Sequence, residues 1–208
     1  SVYGANLKMP FTEIEKADTQ LTIYAATKKA NESMAHSYAY LWKIPTTMLR
    51  FFTVYGPWGR PDMALHKFVK GIIEDNPIDI YNKGEMTRDF TYVDDIVQGI
   101  KLLINIIPRR PDNGIVTKKD SLSPVAPFRV VNIGNSNRVK LLDFITAIEK
   151  KLGKKAVRNY LPMQMGDVPE TWADTSLLQN LTGYKSKIKF TEGISNFIDW
   201  YLEYYNKK

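Results

Sequence analysis

The chain has 208 residues, 44% hydrophobic and 25% charged, an ordinary globular composition. With no cysteine and two histidines, it excludes disulfide frameworks, thiolate-bound metals, cysteine nucleophiles and a histidine-rich metal site. The net charge of +7 admits anionic partners, but the basic residues lie in scattered doublets from Lys28-Lys29 to Lys207-Lys208. A nucleic-acid reader concentrates them on one element, so no nucleic-acid partner is expected, and a small phosphorylated ligand suits the charge. No run approaches the roughly 18 consecutive apolar residues of a membrane span. Ser1-Val2-Tyr3-Gly4 lacks the basic and apolar regions of a signal peptide. A cytoplasmic location without a membrane partner is therefore expected.

Residues 1–4 read as the end of a strand and 5–20 as polar loop. Leu21 to Trp42, rich in Ala, Lys, Glu and Met and stopped before Pro45, predicts a long helix. Thr46 to Phe52 is a short run between turn residues and reads as a buried strand. Residues 53–62 hold two Gly and two Pro and read as loop. Met63 to Glu74 reads as helix, Ile78 to Tyr81 and Asp89 to Val93 as strands, and Asp94 as the N-cap of a helix to about Ile106. Residues 108–127, with Pro108, Pro111, Pro124 and Pro127, read as a surface loop. Arg129 to Ile133 follows as a strand, then a turn at Gly134-Asn135-Ser136-Asn137 and an amphipathic helix from Leu141 to Leu152 closed by Gly153. Residues 156–174 read as loop with short extended pieces, Thr175 to Leu181 as a short helix, and Gly193 to Tyr205 as a final helix with an aromatic face. Strands alternate with helices, so the class is α/β.

Chemistry concentrates first at Tyr24 and Lys28, which lie at i and i+4 on one helical face. A free phenol titrates near ~10; use as a base near neutrality needs a depression of roughly three units, about 4 kcal/mol, and a fixed cation supplies part of it. Spacing alone is not diagnostic, because Tyr204 and Lys208 repeat it at the C-terminal tail. Context adds what spacing does not. Ser1-Val2-Tyr3-Gly4 precedes Tyr24, and Leu49-Arg50-Phe51-Phe52-Thr53-Val54-Tyr55-Gly56-Pro57 follows it. Further on come Trp58-Gly59-Arg60-Pro61-Asp62-Met63-Ala64, Arg88-Asp89-Phe90-Thr91-Tyr92-Val93-Asp94-Asp95-Ile96, Asn132-Ile133-Gly134-Asn135-Ser136, and Gly166-Asp167-Val168-Pro169 with Ala173-Asp174.

Taken together and in order, these motifs resemble the extended short-chain dehydrogenase/reductase family, in the UDP-glucuronate 4-epimerase branch of its NAD-dependent epimerases and dehydratases. The resemblance implies the C-terminal portion of a Rossmann-like extended reductase. Residues 1–60 would be a remnant of the dinucleotide-binding domain with the active-site helix, and 61–208 mainly a substrate-binding lobe. It implies NAD as cofactor and a UDP-sugar as ligand, with capsular polysaccharide synthesis as the setting. In that family the cofactor takes a hydride from sugar C4 while a tyrosine removes the 4-hydroxyl proton; the keto sugar turns and the hydride returns to its other face. Tyr24 matches that base, and Lys28 the residue that holds the cofactor ribose. Phe51 and Val54 match the strand end beside the nicotinamide, and Ser1 an adjacent pocket position. Thr53 would face the sugar and meet its carboxylate, with Arg60 a charged neighbour. Arg88 matches the diphosphate clamp, Asp167 the carboxylate that grips the nucleoside hydroxyls, and Tyr81 the border of the uracil. Gln164 stands where galactose-type relatives carry a second phosphate-binding arginine.

Plainer readings stand beside these. Phe51 and Val54 also fit a core, Arg88 an ion pair with Asp89, Asp167 a turn and Arg60 a solvated loop. His36 and His66 fit surface or packing positions, and Phe197, Trp200, Tyr201 and Tyr204 core contacts. The chain departs from the family pattern in one respect: no strand–GxGxxG–helix unit occurs in it. The resemblance therefore implies that roughly the first 120–130 residues, including the dinucleotide-binding turn, are missing. A sheet cut there exposes an edge, which predicts self-association or help from another chain. A non-catalytic UDP-sugar-binding fragment is the alternative of another class; a UDP-glucuronate decarboxylase and a sugar-nucleotide dehydratase are sibling alternatives.

Overall fold

The computed structural model describes residues 1–164 and 166–207. In chain order the elements are α1 (Ile23–Trp42), β1 (Thr46–Phe51), β2 (Thr53–Tyr55), α2 (Ala64–Ile73), β3 (Ile78–Tyr81), β4 (Thr87–Arg88), β5 (Phe90–Tyr92), α3 (Val93–Leu103), β6 (Phe128–Ile133), β7 (Val139–Lys140), α4 (Leu141–Leu152), β8 (Arg158–Leu161), β9 (Glu170–Thr171), α5 (Ser176–Thr182) and α6 (Phe190–Tyr204). Thr22 fixes the start of α1: its hydroxyl accepts the Ala25 N–H at 3.1 Å. Lys43, in the left-handed conformation, ends the helix two residues before Pro45. Gly153 closes α4 in the same way, as its sequence suggests.

Parallel pairing dominates, as expected where helices separate consecutive strands. β1 runs beside β6, with Thr46 opposite Phe128 and Phe51 opposite Ile133. β2 pairs with β5, and β3 with β8. β4 lies between β9, parallel, and β7, antiparallel. The largest core gathers Phe68, Ile72 and Ile80 with Phe144, Ile148, Phe197 and Ile198, which joins α2, β3, α4 and α6. A second core sets α3 and α5 against β6 through Ile96, Ile133 and Leu178.

Three expectations shift. β1 is a strand but not a buried one: Arg50 is its one buried residue, and Phe51 is 47% exposed. Its strand partner lies on the β6 side, and among the described residues none lies on the other. Asp94 is not the cap of α3; Tyr92 occupies that position, and Asp94 and Asp95 fill the first turn, where their charge still suits the helix dipole. The final helix starts at Phe190, three residues earlier than its glycine suggests. Gly193 sits inside it because a Cβ there would lie 2.2 Å from the Tyr55 hydroxyl, so α6 and β2 approach too closely for any side chain. Along that helix Phe197 and Tyr201 enter the core, while Tyr204 is exposed. Lys208 lies outside the described residues.

The loop 108–127 guards the outer edge of β6. The Ser121 hydroxyl donates to the Val130 carbonyl and accepts the Val130 N–H, and the Asp120 carboxylate receives two bonds from Arg129. A buried carboxylate at Asp89 ties the other side together. It accepts the N–H groups of Asn135 (2.7 Å), Ser136 (3.0 Å) and Ala173 (3.1 Å) and the Thr91 hydroxyl (3.0 Å). Asp89→Ala leaves three backbone donors without an acceptor. The expected loss is about 3 kcal/mol or more, read as a lower urea midpoint at unchanged m-value.

Candidate functional site

One cleft of about 560 Å³ collects Ser1, Tyr24, Lys28, Phe51, Thr53, Arg88 and Asp167. It lies at the C-terminal ends of parallel strands, the usual ligand position in open α/β sheets. Helical spacing puts Tyr24 and Lys28 on the same wall, with the Lys28 ammonium 5.2 Å from the Tyr24 ring centroid. Tyr24 is 59% exposed and lines the cleft rather than packing in the core. β1 ends at Phe51, and the chain breaks at Phe52 before β2 begins with Thr53, whose N–H bonds the Asp89 carbonyl at 3.1 Å. The Asp89 backbone thus fixes Thr53 while its carboxylate fixes the turn after β6.

Arg88 reaches the cleft from β4. Its guanidinium donates to Asp167 at 2.8 Å and to the Thr87 and Pro169 carbonyls at 3.1 Å each. Its ionic partner is therefore Asp167, 79 residues away, and not the neighbouring Asp89, whose oxygens are taken by backbone donors. Burial pulls the Arg88 pKa below its ordinary value, against the pull of Asp167. Asp167 is also a turn residue, accepting its neighbour Val168 N–H at 2.9 Å after Gly166 at φ 80.

Three sequence-selected residues lie elsewhere. Strand alternation turns Val54 away from Tyr24; it lines a neighbouring small cavity with Gly56, Gly59, Arg60, Met63 and Phe90. Thr53 lines both spaces. Arg60 is exposed and grips Asp62 in a two-pronged pair, with Nε to Oδ1 at 3.0 Å. The Asp62 carboxylate bonded to it holds the Arg60 pKa above its ordinary value. Tyr81 ends β3 opposite Leu161 and packs on the main core, away from the cleft lining. The histidines pack as expected. His36 bonds Ser123 at 2.8 Å, and His66 sits edge-on to Phe197, Tyr201 and Tyr205.

Sequence reasoning passed over the polar group behind the cleft. Glu32, one further helical step along the Tyr24–Lys28 face, binds Arg50 of β1 through two bonds, of 2.7 and 2.8 Å. The Arg50 guanidinium lies over the Tyr3 ring at 4.7 Å. The Tyr3 hydroxyl donates to Asn132 Oδ1 at 2.6 Å, and the Asn132 N–H donates to Glu13 at 2.7 Å. A charge inside the apolar run Thr46–Phe52 is the signal that could have found this group. Burial pushes Tyr3 up to about 12 and Glu13 up to about 7. Among the described residues no three His, Cys, Asp or Glu side chains are arranged to hold a metal ion, and no helix is long and apolar enough to cross a membrane.

A parallel α/β frame with a Tyr–Lys helix beside its strand ends is a Rossmann-like arrangement. The profile of the NAD dependent epimerase/dehydratase family matches residues 1–116. A probable UDP-glucuronate 4-epimerase from Rhizobium meliloti is 53% identical over 209 residues, covering all of this chain and 61% of that protein. Protein CapI from Staphylococcus aureus is also 53% identical, with 62% of it covered. The solved UDP-glucuronic acid 4-epimerase from Bacillus cereus, in complex with UDP-glucuronic acid and NAD, matches at a TM-score of 0.83 and 35% identity, over 99% of this chain and 60% of that one. A dTDP-glucose 4,6-dehydratase from Bacillus anthracis, 20% identical with a TM-score of 0.80, shares the fold. The chain belongs to the NAD dependent epimerase/dehydratase family. It spans about three-fifths of the length of the curated relatives it matches.

Glu13 gives the site a pH signature. Its pKa rises from 4.5 to about 7 on burial, so between those values the folded protein holds a proton that the unfolded chain has released. Stability therefore falls as pH rises from about 4.5 to about 7 and is flat below. Glu13→Gln keeps an acceptor for the Asn132 N–H and removes this part of the slope. Urea midpoints of both proteins across that window check it; equal slopes would contradict the assignment.

Proposed function

We propose that this chain carries the proton-transfer pair and the nucleotide clamp of a UDP-sugar 4-epimerase, and that its sugar is glucuronate, converted to galacturonate at C4. The observation that carries the reading is the convergence of Ser1, Tyr24, Lys28, Phe51, Thr53, Arg88 and Asp167, from five separate stretches of chain, on one cleft. The relatives named for UDP-glucuronate chemistry support the choice of sugar.

The residues divide by position. Tyr24 Oη exchanges the proton of the sugar 4-hydroxyl, with the Lys28 ammonium beside its ring. Thr53, shared by both cavities, faces the sugar, and Arg60 supplies positive charge for the carboxylate. Arg88 offers a guanidinium fork to the diphosphate; Asp167 accepts from the nucleoside hydroxyls. Ser1 lines the sugar side of the cleft. Tyr81, outside the lining, takes no part in this scheme. Tyr24, Lys28 and Phe51 fit the nicotinamide end of NAD, whereas a glycine-rich turn for its pyrophosphate is not found in these 208 residues. When bound, NAD accepts the hydride from C4 and returns it.

Calorimetric titration of the chain separates this reading from its competitors. UDP-glucuronate is expected to bind, and Arg88→Ala to weaken it about tenfold or more, the size of a charge-assisted contact. No heat from UDP or UDP-glucuronate would overturn the nucleotide site. Tyr24→Phe is expected to leave that binding within about twofold while epimerisation by the full-length gene product drops by about 10² or more. Undiminished turnover would remove Tyr24 as the base, and turnover absent in every form would favour a non-catalytic UDP-sugar-binding protein.

A further inference from the structure

The loop from Gly56 to Asp62 is tightly folded and carries an oddly placed tryptophan. The Gly59 N–H bonds the Gly56 carbonyl at 3.1 Å, and a Cβ on Gly59 would lie 2.9 Å from that oxygen. Between them Trp58 adopts φ 62, a left-handed conformation that bulky residues avoid. Such backbone persists only where surrounding contacts hold it. Trp58 is 74% exposed, so burial is not what holds it. Its ring instead lies 5.4 Å from Trp200 and 5.0 Å from Tyr204, both on α6, and those two rings stack on each other at 5.3 Å. Helix α6 is itself fixed, pressed against β2 where Gly193 meets Tyr55.

Two residues past Trp58 comes Arg60. The hydrogen bonds of its side chain go to Asp62, a member of the same loop. Among the described residues no other hydrogen bond ties that guanidinium to the frame, so where Arg60 stands depends on where the loop stands. We propose that Trp58 is a specificity-positioning residue: its clasp on Trp200 and Tyr204 sets the loop so that Arg60 meets the sugar carboxylate beside Thr53. The proposal rests on the UDP-glucuronate reading above. It adds to that reading a residue outside the lining of both cavities, and assigns it the choice between a carboxylate-bearing and a neutral sugar.

The test is titration of the chain with UDP, UDP-glucuronate and UDP-glucose. The wild type is expected to favour UDP-glucuronate over UDP-glucose. Trp58→Ala, at an exposed position, is expected to shrink that preference about tenfold, the size carried by two aromatic pairs, with UDP affinity changed less than about twofold. Trp58→Phe restores most of the preference. Arg60→Ala abolishes it, and Trp58→Ala adds nothing further in that background, because both act on one contact. A wild type that binds neither sugar nucleotide, or binds both equally, overturns the substrate reading and this proposal with it. A preference that survives Trp58→Ala overturns the clasp alone. Parallel loss of UDP and UDP-glucuronate affinity in Trp58→Ala also overturns it, since that is what general loosening of the lobe would produce.

Discussion

A carboxylate with no exposure to water must have every lone pair answered from within the protein, and Asp89 meets that demand with four donors. Those donors come from β5, from the turn after β6 and from the segment after β9. One buried charge therefore decides how three distant stretches of chain meet. Its flanks reach the cleft: Arg88 precedes it, and its carbonyl receives Thr53. Arg88 and Thr53, the proposed nucleotide clamp and sugar-facing threonine, are set by the same residue. Burial raises the Asp89 pKa, and the bonds to Ala173, Asn135, Thr91 and Ser136 work against that rise.

Behind the other wall the demand is met differently. Glu32 and Arg50 are both buried and neutralise each other through a two-bond pair, with Lys29 adding a third contact at 2.9 Å. Burial pulls both groups toward their neutral forms, but mutual bonding outweighs it: Glu32 stays below its ordinary pKa and Arg50 above. Such pairs add little net stability over apolar packing, but they specify geometry. Here the geometry is the register between α1, which carries Tyr24 and Lys28, and β1, which delivers Phe51. One guanidinium nitrogen of Arg50 remains buried without a partner among the described residues.

The helices were legible because their apolar spacing and terminators agree: Gly153 and the stop before Pro45 mark ends that the fold respects. The cleft was legible at Tyr24, Lys28, Thr53, Arg88 and Asp167 because each stands in a motif whose order matches a family. What escaped depends on distance in space rather than in sequence. Arg88 chose Asp167 over its neighbour Asp89, because backbone amides from remote segments had already claimed Asp89. Val54 fell on the opposite face from Phe51's cleft because the two stand three residues apart and strand side chains alternate. The Glu32–Arg50 pair spans 18 residues, and neither member alone carries a readable motif.

The two edges of the β1–β6 pair are not equivalent. On the β6 side, Ser121 occupies both the donor and the acceptor of Val130, and the loop before it lies along the strand. On the β1 side the described residues provide no such cover, and α1 above it presents Ile23, Met34, Leu41 and Trp42 to the outside. Extension of this sheet by any further strand is consequently polar: it proceeds from β1 and is blocked at β6. The pair therefore acts as a one-ended template, and a strand arriving there would pass directly beside the wall that holds Ser1 and Tyr24.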